Sequence, residues 1–109
     1  MIDLHNLEIP ILGMNCKVTE KKLKDDDGLF HADSFSIEIS KTIKDQNYKL
    51  KVLAHEMGHA MIERLGMSGQ LNESVEEILV DSFANVFMET FVIDPNSLEA
   101  FRIDRAPEK

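Results

Sequence analysis

At 109 residues the chain has room for one compact domain with a modest core and not for two, so a single domain over 1–109 is expected. Twelve lysines and arginines against twenty acidic residues leave a formal charge of -8, which repels nucleic-acid phosphates and anionic membranes and excludes both as direct partners. The single cysteine, Cys16, cannot close an internal disulfide; the opening residues, with Asp3 and Glu8, lack a signal peptide's basic start and apolar run; and no stretch approaches the roughly 18–20 apolar residues of a membrane span, so a soluble cytoplasmic protein is expected.

Along the chain, residues 9–12 and 15–20 read as strands on either side of Gly13. Asp25-Asp26-Asp27-Gly28 is a turn signal, because Asp tolerates turn geometry and Gly supplies positive φ. After it come residues 29–32 and then Phe35-Ser36-Ile37-Glu38-Ile39, whose alternation suits a half-buried strand. A small antiparallel sheet over about 9–40 is predicted. From about residue 47 the period turns helical, with Leu50, Leu53, Ala54, Met57, Met61 and Leu65 in phase and Gly66 as the stop. Asn72 can cap a second helix running to about residue 92, with Glu73, Glu76 and Glu77 at the positive end of its dipole. Asp94-Pro95 breaks it, Leu98 and Phe101 suggest a last helical turn or two, and a frayed tail is expected from residue 104. The six methionines and Phe83, Phe87 and Phe91 read as core.

The chemistry lies in His55-Glu56-Met57-Gly58-His59. Residues four apart differ by about 40° around a helix, so both imidazoles project from one face and suit two ligands of one tetrahedral zinc. Glu56 sits about 100° further round, placed to act as general base by taking a proton from a zinc-bound water. The apolar arc of Leu50, Leu53, Ala54, Met57, Ala60, Met61 and Leu65 leaves those three residues on the other face. Gly58 costs about 1 kcal/mol of helix stability relative to Ala, which suggests that another segment packs closely against it.

A catalytic zinc takes three protein ligands and keeps one position open. The second helix, brought alongside by a short loop, offers Glu73, Glu76, Glu77 and Asp81. On a helical wheel Glu77 and Asp81 fall beside Val80, Ala84 and Met88, which predicts partly buried carboxylates. Glu77 is the expected third ligand. Asp81, with its shorter reach, is the alternative ligand or a partner for a histidine ring N–H. Glu73 and Glu76 are assigned to dipole complementation alone. His5 and His31 read as structural or exposed, Tyr48 as a minor candidate for oxyanion assistance, and Cys16 as a packed thiol.

The order of a small sheet, a helix with His55-Glu56-Met57-Gly58-His59-Ala60 and then Glu77-Ile78-Leu79-Val80-Asp81-Ser82-Phe83-Ala84-Asn85 resembles the ImmA/IrrE-like metallopeptidases, above all their short phage and mobile-element forms. The resemblance spans residues 11–91. It implies a zincin-like, α+β fold of gluzincin type with His55, His59 and Glu77 on Zn2+ and Glu56 as general base. It further implies hydrolysis of a peptide bond in a protein substrate such as a transcriptional regulator. An extended substrate is expected to add to an exposed edge strand, for which residues 35–39 are the leading candidate. The competing expectation is a non-catalytic, zinc-stabilised acidic interaction module.

Overall fold

The computed structural model describes residues 1–90 and 94–103. Four strands, β1 (Leu7–Ile11), β2 (Met14–Lys21), β3 (Gly28–His31) and β4 (Ser36–Ser40), precede two helices, α1 (Gln46–Arg64) and α2 (Glu73–Thr90), and a 3₁₀ helix, Pro95–Phe101. The fold is α+β, with the sheet on one side of α1 and α2 on another. The predicted C-terminal end of α2 and the frayed tail, as well as the core assignment of Phe91, fall outside the described residues.

The sheet corrects the antiparallel expectation. Its order is β1-β2-β4-β3, and the central pair β2 and β4 runs parallel, with Val18 opposite Ile37. After β2 the chain passes over the place that β4 will take, lays down β3 at the far edge, and returns by a hairpin to fill the gap. Residues 22–27 can make that step because two strand spacings are only about 10 Å, well within the reach of six extended residues. A residue-by-residue reading favours successive hairpins and cannot see an insertion of this kind. Its consequence reaches the site, because residues 35–39 lie largely in the inner strand β4 and β3 becomes the free edge.

Alternation sets the buried face. Leu7, Ile9 and Ile11 of β1 are buried while Glu8 and Pro10 are exposed. Leu7, Val18, Ile37 and Phe30 stand opposite one another in a row across all four strands. This row and its neighbours pack on Leu50, Val52, Leu53 and Ala60 of α1. The N-terminal segment is tied to both layers by a buried ion pair. Lys49 Nζ, on a residue only 4% exposed, lies 2.8 Å from Glu20 Oε2 and donates to the Ile2 carbonyl at 2.8 Å.

Helix limits follow their signals. Asp45 caps α1 by accepting from the Asn47 N–H at 3.2 Å. At the other end Gly66, at φ +70°, donates to the Glu63 carbonyl while Met67 donates to that of Ile62, a Schellman pattern. Asn72 Oδ1 accepts from the Val75 N–H at 2.9 Å and starts α2. The two helices cross at Gly58, where an added Cβ would lie 3.0 Å from Val80 Cγ1. The glycine thus gives room to a valine on the facing helix, as its mid-helix position suggested. Leu65 departs from the predicted apolar arc; it is the C-cap and is 55% exposed.

Candidate metal centre

α1 carries His55 and His59 one turn apart, and their ring centroids are 5.0 Å from one another. α2 faces them with Glu76, Glu77 and Asp81. His55 Nε2 lies 3.4 Å from one Glu77 carboxylate oxygen and His59 Nε2 lies 3.1 Å from the other. The opposite ring nitrogens are also engaged: His55 Nδ1 is 2.9 Å from Asp81 Oδ1, and His59 Nδ1 is 2.6 Å from Glu76 Oε2. Each imidazole is therefore held between two carboxylates.

Hydrogen-bond chemistry makes this arrangement informative. If each Nδ1–H donates to its carboxylate, each Nε2 presents a lone pair toward Glu77, whose oxygens are acceptors as well. Acceptors do not converge without a cation or protons between them. Three such atoms, one each from His55, His59 and Glu77, lie within 4.8 Å of one another and could hold a metal ion. The donor set of two imidazoles and one carboxylate fits Zn2+, with a fourth position left open. Among the described residues no further carboxylate, thiol or imidazole joins that cluster.

Glu77 thus faces the Nε2 atoms of both histidines, and Asp81 lies against the other ring nitrogen of His55. Two readings require correction. Glu76, assigned to the helix dipole, makes the shortest contact to either histidine. Glu77 and Asp81 are not buried; their side chains are 49% and 62% exposed. α2 packs on α1 through Val80 and Ala84, and its first turns border an open cleft. The spacing held a signal for Glu76, since Glu76 and Asp81 bracket Glu77 much as His55 and His59 bracket one turn of α1. In isolation, however, a first-turn glutamate looks the same whether it serves the dipole or a histidine.

Glu56 is only 7% exposed. β3 covers it: an added Cβ at Gly28 would lie 3.0 Å from Glu56 Cγ and 2.7 Å from Val52 Cγ1. Its carboxylate has no hydrogen-bond or ion-pair partner among the described residues and lines two adjoining cavities in the cleft. Burial raises its pKa above the ordinary glutamate value, Glu77 and Asp26 add to the rise, and His59 and His55 oppose it. A carboxylate so placed is more basic than a solvated one.

The cleft has β3 as one wall. Asp26, Gly28, Leu29 and Phe30 line it together with His55, Glu56 and His59. β3 is an edge of the sheet, so its main chain as well as its side chains can border the cavity. Tyr48 borders the cleft too, but its hydroxyl donates to Asp27 Oδ2 at 2.5 Å, and that bond raises the phenol's pKa. His31 lies away from the cleft, paired with Glu38 at 2.9 Å, and His5 accepts from the Glu20 N–H at 3.0 Å. Cys16 is fully buried in the core.

An apolar cavity lies on the other face of α1, lined by Ile9, Leu53, Met57, Phe87, Leu98 and Phe101. Among the described residues, its lining brings no cluster of metal-ligating side chains together. Among the described residues, no helix is long and apolar enough to cross a membrane. Compared with known protein families, curated proteins and solved structures, the chain matches none.

Proposed function

We propose that this chain is a zinc-dependent peptidase, with a minimal zincin-like fold of the ImmA/IrrE-like kind, that hydrolyses a peptide bond in a protein substrate. The observation that carries the reading is the convergence of two histidine Nε2 atoms and Glu77 beside an unpartnered, buried Glu56. His55, His59 and Glu77 would hold the ion. When bound, zinc supplies a Lewis acid that polarises a carbonyl oxygen and lowers the pKa of water toward neutrality.

The chain's own residues supply the rest. Asp81 and Glu76 accept from the Nδ1–H groups, fix the tautomers and leave both Nε2 lone pairs for the metal. Glu56, kept basic by burial under Gly28, takes the proton of the attacking water and returns it to the leaving amine. The free edge of β3 offers backbone donors and acceptors to an extended segment, which would run past Glu56. Under this reading the substrate would pair with β3, because residues 35–39 lie largely in the inner strand β4. A transcriptional regulator is the substrate kind that the resemblance suggests, and a cytoplasmic setting is the corresponding proposal.

The competing reading, an acidic interaction module held together by zinc, calls for a closed site with a fourth protein ligand. Only three donors cluster among the described residues, which favours the open site. The test is hydrolysis of fluorescently labelled casein by zinc-loaded protein. Glu56→Gln is expected to lower the rate by about 10²-fold or more while zinc is retained, as loss of a general base does. Undiminished hydrolysis in Glu56→Gln would refute the assigned mechanism.

A further inference from the structure

We propose that the cleft receives an extended basic segment, with a lysine or arginine side chain of the substrate set against Asp26. The proposal rests on the peptidase reading and adds to it the class of substrate. Among the described residues, five carboxylates besides Glu56 line the two cavities that flank it, against a single lysine, Lys51. Even a divalent cation leaves this cleft negative.

Most of those carboxylates have work already. Asp27 accepts from Tyr48, Asp81 and Glu76 face the two Nδ1 atoms, and Glu77 faces both Nε2 atoms. Asp26 is exposed at the head of β3 and has no hydrogen-bond or ion-pair partner among the described residues. It stands where a chain paired with the edge of β3 would pass. A second observation points to a ligand in the cleft: Glu56 is more than nine-tenths buried, has no hydrogen-bond or ion-pair partner among the described residues and lines the same space. A cationic side chain there would gain an unpaired carboxylate in a cleft of one charge sign, whereas an acidic one would meet repulsion from both walls.

The test uses fluorescein-labelled decapeptides of alternating Lys-Ala, Gln-Ala and Glu-Ala, with binding read by anisotropy on the full chain carrying Glu56→Gln, with and without zinc. The Lys-Ala peptide is expected to bind roughly tenfold more tightly than the Gln-Ala peptide, a margin that shrinks as NaCl rises from about 0.05 to about 0.5 M. Asp26→Asn should weaken Lys-Ala binding by about threefold or more. Glu8→Gln, which removes the same charge from the far edge of the sheet, should leave it unchanged. Equal affinity for the Lys-Ala and Gln-Ala peptides, or equal effects of Asp26→Asn and Glu8→Gln, would overturn the proposal. Because the readout is binding, absence of the charge preference while the chain with native Glu56 hydrolyses casein overturns this inference alone. A retained preference without hydrolysis supports it and overturns the reading beneath.

Discussion

Each histidine of the centre is held from two sides, and the Nδ1 partners decide which nitrogen is offered to a metal. Glu76 at 2.6 Å from His59 is the closer of these partners, and it lies in a half-buried position that Asp81 does not share. Glu76→Gln is therefore expected to weaken zinc binding by about 10- to 100-fold, measured by competition with a chromogenic chelator, whereas Glu73→Gln should have no effect. Equal effects of the two substitutions would return Glu76 to the helix dipole. The HExxH residues were legible because their spacing has one geometric meaning on a helix. Glu76 was not, because its role depends on how α2 is rotated against α1. Cys16 was legible as a packed thiol, and burial carries a consequence for pH. Its pKa is pushed from 9.0 up to about 11, so the folded chain holds this proton more tightly than the unfolded one. The stability involved is fully present below about pH 9 and is lost as pH rises through about 11. At pH 8 the folded protein should react with a disulfide reagent far more slowly than the denatured chain; equal rates would contradict the burial.

Among the elements, β3 shapes the cleft most. Its first residue lacks a side chain where the strand lies on α1, and a methyl group at Gly28 would sit 2.7 Å from the stiff, branched Val52 and 3.0 Å from Glu56. Gly28→Ala should cost about 1–3 kcal/mol through overpacking, read as a lowered urea midpoint, and should lower hydrolysis further by displacing Glu56. A midpoint equal to that of the wild type would mean that β3 does not rest on α1 at this point. The helix limits at Gly66 and Asn72 were legible because these residues are local signals that act through the nearest backbone groups, while the Asp45 cap went unread. The strands were legible as segments, and their order was not. Alternation tells which face of β4 is buried, but not that β2 is its parallel neighbour. The choice of edge strand, and with it the expected path of a substrate, depended on that missing pairing.

Over the whole molecule, the sheet and the buried Lys49–Glu20 pair form a base on which α1 is fixed, while the first turns of α2 stand open to solvent. Precision is thus placed at His55, Glu56 and His59, on the helix that packs against the sheet, and access is placed at Glu77 and Asp81. The overall charge of -8 is concentrated in part around the cleft, in keeping with a basic substrate. Small size limits how much surface can position a substrate, and it puts weight on the edge of β3 and on the metal. The most direct measurement is zinc content by elemental analysis of the purified chain, beside His59→Ala and Glu56→Gln. The account predicts one zinc per chain, lost in His59→Ala and kept in Glu56→Gln. A wild-type chain that takes up no zinc even after refolding with the metal would contradict it.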